Sequence, residues 1–241
     1  MVVGECDFAI AFYKKYVILI LIKFQKGCGF VTSRTEYQRL ANNEALMNYP
    51  EYADRFKSIK KLEKMFREED VDWALAYSTD LFIRGIIDDF HDLDVFVQDD
   101  IEPAKLERIL EKYNIGIVST YNDKIFTTKA FYTCKDLDTN IQIEFIIQFG
   151  MKVNQIKFDY LLENRIDYFR IGNISLPVLN ICDLYILYAI LEDSWQPKRR
   201  YKRQLIESYI RENVKPAIFN LSKDVQLPEW IWKNVNLLIG K

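Results

Sequence analysis

Two aspartates, Asp92 and Asp94, lie at alternate positions in an apolar segment. Because side chains alternate across a β-strand, both carboxylates would project from one face, while Leu93 and Val95 would enter a core on the other face. Two like charges on one half-buried face repel each other and lose hydration unless a cation lies between them. Carboxylate oxygens suit a hard divalent ion such as magnesium. The spacing therefore indicates a metal site, and the alternative is an ordinary strand end flanked by solvated acids.

The sequence around the aspartates distinguishes them from a second triplet of the same type. Asp136 and Asp138 also form an Asp-x-Asp pattern, but they lie in a polar stretch that predicts a turn between strands. The first triplet follows an apolar run that ends at Ser78 and Thr79, which predicts a strand and a loop, and then residues 81–87, which predict a short helix. This order of strand, loop, helix and strand favours Asp92 and Asp94 as the functional pair.

A third carboxylate, Glu144, lies on a later predicted strand over residues 141–149. The odd-numbered residues of this strand are apolar, whereas Gln142, Glu144 and Gln148 share the opposite face. Glu144 would approach Asp92 and Asp94 if the two strands are neighbours. The alternative is an acid that faces solvent on an edge strand.

A basic segment runs from Lys198 to Arg203, where five of the six residues are lysine or arginine. Such a segment is typical of a solvated helix face or loop, and the other interpretation is a cationic lip for a triphosphate or an acidic partner. The net charge of the whole chain is −2 and its pI is about 5.7. Because the positive charge is only local, a general nucleic-acid-binding protein is disfavoured.

Composition limits the class of protein further. With 241 residues, 49% of them hydrophobic, the chain is long enough to bury a sizeable core in one or two domains. Four scattered cysteines and a single histidine, His91, disfavour a zinc site and fit a reducing cytoplasm, and His91 is expected at a strand end or beside a carboxylate. The most apolar run, 16–24, is shorter than the ~20 residues of a membrane helix. No small-residue cleavage site follows it, so we predict a cytoplasmic protein without a membrane segment.

The periodicity of apolar residues predicts a mixed α/β (α+β) fold, in which a sheet is flanked by helices. The predicted helices cover 54–68, 81–87, a segment capped by Asp99 or Asp100 that ends near Tyr113, 176–191, 205–210 and 227–240. The predicted strands cover 73–79, 92–97, 115–120, 125–133 and 141–149. We expect three parts: an N-terminal extension (1–46), a catalytic core (47–172) and a helical C-terminal region (173–241).

Residues 54–205 resemble the nucleotidyltransferase superfamily with a polymerase-beta-like core, which includes small bacterial lincosamide and aminoglycoside nucleotidyltransferases and abortive-infection nucleotidyltransferase toxins. Residues 73–79 match the family's first strand and loop, and residues 91–97 match its Asp-x-Asp strand. Two positions depart from the family pattern. Tyr77 stands where the family has a glycine, and Arg203 follows Lys202 where relatives have an acid.

The resemblance implies a magnesium-dependent nucleotidyltransferase. Such an enzyme moves a nucleoside monophosphate from a nucleoside triphosphate, for example ATP, to a hydroxyl of a small molecule, protein or RNA, and releases pyrophosphate. Asp92, Asp94 and Glu144 would be the catalytic residues and would bind two Mg²⁺ ions, with Asp138 as a less favoured third acid. Glu144 would also activate the acceptor hydroxyl.

The resemblance also implies a set of nucleotide-binding residues: Ser78, Thr79, Arg84 and Lys202. The acceptor and the oligomeric state stay open. The alternative is a catalytically impaired nucleotidyltransferase-like module that binds a nucleotide or a protein partner, and the departures at Tyr77 and Arg203 favour this alternative.

Overall fold

The computed structural model describes residue 50 and residues 52–121, 126–153, 156–162, 165–171, 174–194, 199–219 and 227–240. The predicted extension 1–46, with its apolar run, lies outside these residues. Within them the helices are α1 (Ala53–Glu68), α2 (Tyr77–Ile83), α3 (Pro103–Lys112), α4 (Ile181–Ser194), α5 (Arg199–Asn213) and α6 (Glu229–Leu238). The strands are β1 (Trp73–Leu75), β2 (Leu93–Val97), β3 (Ile115–Thr120), β4 (Ala130–Asp136), β5 (Gln142–Ile147), β6 (Phe149–Val153), β7 (Ile156–Tyr160), β8 (Ile166–Ile171) and β9 (Ile174–Leu179).

A seven-stranded mixed sheet forms the centre of the fold, in the order β3-β4-β5-β2-β1-β9-β8. Strands β2 and β5 are parallel neighbours, and β1 lies antiparallel to β2 and parallel to β9. Strands β6 and β7 pair in a separate two-stranded sheet. The predicted mixed sheet with flanking helices is confirmed.

The two faces of the sheet pack into different hydrophobic clusters. On one face, Leu93, Val95 and Phe145 join buried residues of α1 and α3. On the other face, Phe96 and Ile146 join the buried residues of α4, α5 and α6. Even-numbered residues of β2 and β5 therefore face the C-terminal helices, because side chains alternate along a strand.

The prediction of a helix from Leu176 is wrong. Residues Ile174–Leu179 form β9, which pairs with β1 and β8, and α4 begins only at Ile181. A strand that is buried on both faces gives a continuous apolar run, which periodicity cannot distinguish from a buried helix. The boundary is set by Asn180, whose Oδ1 accepts hydrogen bonds from the backbone N–H groups of Cys182 and Asp183 at 3.1 and 3.3 Å. The division at residue 173 stays a prediction, although β9 belongs to the central sheet.

The first strand is shorter than predicted, and the helix after it begins earlier. Strand β1 ends at Leu75 and α2 begins at Tyr77, so Ser78 and Thr79 lie in the first turn of a helix and not in a loop. Ala76, which lies between β1 and α2, has an extended backbone, and its N–H donates a hydrogen bond to the carbonyl of Asp94 at 2.9 Å. This contact with β2 is nonlocal, which is why the local pattern missed it.

Several other boundaries also differ from the predictions. Strand β4 begins at Ala130 and runs to Asp136, and β5 ends at Ile147. The N-cap of α3 is Glu102, while the carboxylate of Asp99 accepts a hydrogen bond from the N–H of Leu162 at 2.7 Å. The amphipathic helices α1, α3, α5 and the final helix α6 are confirmed. In the part of the chain that the structure describes, no helix is both long and apolar enough to cross a membrane.

Candidate active site

Three carboxylates lie close together on the sheet face that packs against the C-terminal helices. Asp94 on β2 lies directly opposite Glu144 on β5, and Asp92 precedes β2 by one residue. One oxygen from each of the three carboxylates lies within 4.8 Å of the others. The strand adjacency that the sequence left open is therefore confirmed.

The electrostatics of the cluster favour a bound cation. Burial raises the pKa of Asp94 well above its ordinary value, and the charges of Asp92 and Glu144 raise it further, against the opposing effects of Arg199 and the Ser78 hydroxyl. Burial likewise raises the pKa of Glu144, and the charge of Asp92 adds to this effect. Three acids at this spacing resist ionising together unless a positive charge joins them. Since all the donors are carboxylate oxygens, the cluster fits Mg²⁺ or a similar hard ion.

The first turn of α2 holds the aspartate segment in place. Ser78 Oγ donates a hydrogen bond to Asp94 Oδ2 at 3.3 Å, and Thr79 Oγ1 donates to the carbonyl of Asp92 at 3.0 Å. Ser78 lines the cavity above the acids, whereas Thr79 is fully buried. Thr79, one of the predicted nucleotide-binding residues, therefore holds the backbone of Asp92 and does not line the cavity.

The acids lie in a cavity of about 520 Å³. This volume falls in the range of small-molecule sites, which is about 300–1,000 Å³. The lining comprises the three acids, two cations, two hydroxyl residues and a set of mainly aromatic side chains: Asp92, Asp94, Glu144, Arg199, Lys202, Ser78, Thr133, Tyr77, Tyr121, Phe126, Phe131, Ile146, Phe149, Tyr188 and Leu191. Of the four predicted nucleotide-binding residues, the structure brings Ser78 and Lys202 to this cavity.

Arg84, predicted to bind nucleotide, does not line the cavity. Its Nε donates to Asp80 Oδ1 at 2.5 Å, and one terminal nitrogen donates to the carbonyl of Leu179 at 2.6 Å. Burial raises the pKa of Asp80 to about 6, and the Arg84 guanidinium opposes that rise. Arg84 thus joins α2 to β9 inside the protein.

Two other candidates also lie away from the three acids. Both oxygens of Asp138 accept hydrogen bonds at 2.7 Å, one from Lys61 and one from Asn114. The structure therefore does not bring Asp138 into the carboxylate cluster. His91 has a side chain that is 85% exposed, and its Nδ1 lies 3.7 Å from Asp89.

Arg199 lines the cavity and belongs to the basic segment that could form a cationic lip, but it was not among the individually predicted nucleotide-binding residues. Its guanidinium carbon lies 5.3 Å from the ring centroid of Tyr77 and 5.5 Å from that of Tyr188, which is cation–π geometry. The available signal was the spacing of Arg199 and Lys202, because residues three apart share one face of a helix. Arg200 points elsewhere, and its Nε donates to Glu192 at 2.6 Å.

Tyr77 has the backbone conformation that glycine adopts easily. Its φ is +45°, in the left-handed region where a bulky residue is strained. The ring packs edge-to-face with Phe96, Phe149 and Tyr188, with centroid distances of 5.7 to 6.4 Å. This packing stabilises the conformation, and the ring becomes part of the cavity wall.

No family model and no curated protein matches the chain. Among solved structures, the chain is similar to the crystal structure of "a putative nucleotidyltransferase" from Thermotoga maritima. The similarity covers 68% of this chain and 95% of that one, at 17% sequence identity and a TM-score of 0.48.

Proposed function

We propose that this protein is a magnesium-dependent nucleotidyltransferase that transfers a nucleoside monophosphate from a triphosphate to an acceptor hydroxyl. The observation that supports this proposal is the three-carboxylate cluster of Asp92, Asp94 and Glu144 in a cavity that also contains Arg199 and Lys202. Acids that can bind divalent metal and cations that can bind phosphate are the two groups that this reaction needs side by side.

The metal-binding part of the proposal rests on the acids. Asp92, Asp94 and Glu144 would hold two Mg²⁺ ions. When bound, such ions neutralise the carboxylates and stabilise the attacking and leaving oxygens of an in-line displacement. A cytoplasmic location, where free magnesium and ATP are abundant, suits this chemistry.

The phosphate-binding part rests on α5 and on the start of α2. Arg199 and Lys202 lie on one face of α5 and would contact the β- and γ-phosphates through charge-assisted hydrogen bonds. The hydroxyl of Ser78 would add a further donor. Arg199 already rests on the rings of Tyr77 and Tyr188, so its guanidinium is held near the acids before a ligand arrives.

The reaction can then be written in terms of the bonds that change. The acceptor oxygen forms a bond to the α-phosphorus, the bond from this phosphorus to the bridging oxygen breaks, and pyrophosphate leaves toward Arg199 and Lys202. Glu144 takes the proton of the acceptor hydroxyl. The acceptor can be a small molecule, a protein or an RNA in this general scheme.

The test of the proposal is label transfer from α-³²P-labelled nucleoside triphosphates in the presence of Mg²⁺, with a cell extract as the source of acceptors. We expect labelled product from the wild type and none from Asp94→Asn. The matched control is Asp88→Asn, which changes an exposed acid outside the cavity and should retain activity. Equal labelling by Asp94→Asn and wild type would contradict the proposal. Magnesium-dependent triphosphate binding without any transfer would instead indicate the impaired, nucleotide-binding module, in which the Tyr77 ring occupies the place of the family's glycine.

A further inference from the structure

The two sides of the cavity differ in chemistry. Across the sheet order β4-β5-β2-β1, Thr133 and Phe131 lie opposite Glu144 and Ile146 on the β4 side. On the β1 side, Tyr77 and Ser78 begin α2, and the Arg199 guanidinium lies over the Tyr77 ring. Arg199 therefore lies with the Tyr77 and Tyr188 rings on one side of the three acids, and Tyr121, Phe126 and Phe131 lie on the other, which we call the aromatic side.

The aromatic side is a connected group of rings at the cavity surface. Tyr121 is 41% exposed, and its ring centroid lies 5.4 Å from that of Phe131 and 5.9 Å from that of Phe126. All three side chains line the cavity. Distances of this size are those at which aromatic rings attract one another in offset or edge-to-face arrangements. A planar ring of a ligand would meet the same geometry at Phe131.

The direction of the proposed reaction decides which ligand this side receives. In an in-line displacement the attacking and leaving oxygens lie on opposite sides of the phosphorus. Since pyrophosphate leaves toward Arg199 and Lys202, the acceptor oxygen must arrive from the β4 side, past Phe131 and Thr133. Both side chains line the cavity, and Thr133 pairs directly with Glu144 across the two strands.

We propose that the aromatic side binds the acceptor, and that the acceptor is a phenol. The direction of approach rests on the proposed function, whereas the affinity of this side for an aromatic ring can be measured without it. The same chemistry is offered by a free phenolic compound and by a tyrosine side chain of a protein. An RNA acceptor is disfavoured because the cations that line the cavity, Arg199 and Lys202, come from α5, and Arg199 lies on the other side of the acids.

The first test measures binding of the fluorescent phenol 4-methylumbelliferone, with and without Mg²⁺ and a non-hydrolysable triphosphate analogue. Phe131→Leu keeps an apolar side chain but removes the ring, so we expect binding to weaken by about two- to tenfold, as for the loss of one ring–ring contact. Phe131→Tyr keeps the ring and should bind within about twofold of the wild type. The control Phe169→Leu changes a half-buried ring on β8, outside the cavity, and should have no effect on binding.

The second test compares label transfer to 4-methylumbelliferone, to N-acetyltyrosinamide and to a single-stranded RNA oligonucleotide. Transfer to the first or second supports the proposal, and the better of the two identifies the source of the phenol. Preferential labelling of the RNA would overturn it. A failure of the wild type to bind 4-methylumbelliferone would also overturn it. The same holds if Phe131→Leu loses affinity for the triphosphate and not for the phenol, because the aromatic side would then bind the nucleobase. If phenol binding depends on Phe131 but no acceptor is labelled, the aromatic side is confirmed as a phenol-binding surface and the proposed transferase activity is contradicted.

Discussion

At the scale of single residues, the two Asp-x-Asp triplets differ in the side chains that each acid contacts. Asp136 and Asp138 share one lysine, Lys61, at 2.6 and 2.7 Å. Asp92 and Asp94 instead lie beside a third acid, in a position that a cation can stabilise. The alternation of acids and apolar residues was enough to predict that Asp92 and Asp94 share a face. It could not show that the other triplet is held by a lysine on a distant helix.

The basic residues of α5 differ in their positions relative to the cavity, and the proposed phosphate binding therefore makes different predictions for them. Lys202 lines the cavity, whereas Arg200 is paired with Glu192 outside it. We expect Lys202→Ala to weaken triphosphate binding by about tenfold or more, because a charge-assisted hydrogen bond contributes about 1.5–3 kcal/mol. Arg200→Ala removes the same type of charge from the same helix and should leave the affinity nearly unchanged. Isothermal titration with ATP and Mg²⁺ measures the affinity of both variants. Equal losses of affinity would show that the basic segment acts only through its overall charge and that Lys202 makes no specific contact.

Long-range contacts fix the positions of two arginines that sequence reasoning did not place correctly: Arg84, which was wrongly expected at the site, and Arg199, which was not selected. Arg84 is fixed by its hydrogen bond to the carbonyl of Leu179, which is 95 positions away in the chain. Arg199 is placed by the rings of Tyr77 and Tyr188, and only the folded chain brings these together. Charge and spacing in the sequence can identify an arginine as a candidate, but they do not predict the direction in which its guanidinium points.

At the scale of elements, a buried polar network joins α1 to the end of β4. Ser58 Oγ donates to Asp136 Oδ2 at 2.7 Å, and Lys61 Nζ donates to Asp136 Oδ1 at 2.6 Å. Asp136 is fully buried. Burial alone would raise the pKa of Asp136, but the hydrogen bonds from Lys61, Ser58 and the backbone of Asp138 outweigh it and lower the pKa below the ordinary 3.8. The ionised carboxylate therefore stabilises the folded protein.

This network predicts a defined pH dependence of stability. A carboxyl group with a lowered pKa in the folded state contributes stability above the pKa of the unfolded chain, and loses it as the pH falls through the folded value. Asp136→Asn should lower the free energy of unfolding at pH 7 by about 2 kcal/mol, the size of a charged hydrogen-bond loss. The difference from wild type should stay constant from pH 8 to about 5 and shrink below about pH 4. Urea unfolding at several pH values measures it, and a difference that grows on acidification would contradict the assignment.

The elements that the sequence predicted well are those with one buried face. Helices α1 and α3 have apolar residues at helical spacing, and β5 alternates between polar and apolar residues from Gln142 to Phe145. Strand β9 was mistaken for helix because it is apolar from Leu176 to Leu179, with Leu176, Val178 and Leu179 all fully buried. The short strands β6, β7 and β8 were missed, because pairing with neighbouring strands, and not local pattern, defines them.

At the scale of the whole molecule, the candidate site combines parts that are distant in the sequence. The acids come from the centre of the sheet, and the cations come from α5, which packs on the same sheet face through the cluster that includes Phe96 and Tyr188. The carboxylate cluster and the two cations, Arg199 and Lys202, therefore line one cavity only when the C-terminal helices are docked. The mixed sheet was predictable from the sequence, but this docking was not, since α4 is apolar on all sides and gives no preferred face.

The start of the folded unit can be tested by truncation. Tyr52, just before α1, donates a hydrogen bond to the carbonyl of Asp88 at 3.1 Å, and its ring lies 5.0 Å from that of Phe82. We therefore predict that a chain beginning at Met47 retains these contacts and unfolds in a single cooperative transition, with a melting temperature within a few degrees of the full chain. Calorimetry with both chains measures it. An insoluble or non-cooperative product would show that residues 1–46 belong to the core.

The most direct measurement of the central claim is the melting temperature of the wild type and of Asp94→Asn, each with and without Mg²⁺ and ATP. Without ligand, Asp94→Asn should melt at the same temperature or higher, because it removes one of three repelling carboxylates. A saturating ligand that binds only the folded state stabilises it by about 2.7 kcal/mol at a hundred times its Kd, so the wild type should gain roughly 5–10 °C. This gain should vanish in Asp94→Asn and in wild type with EDTA, and it should persist in Asp88→Asn. A ligand-induced rise that is undiminished in Asp94→Asn would contradict the metal site, and with it the proposed nucleotidyl transfer.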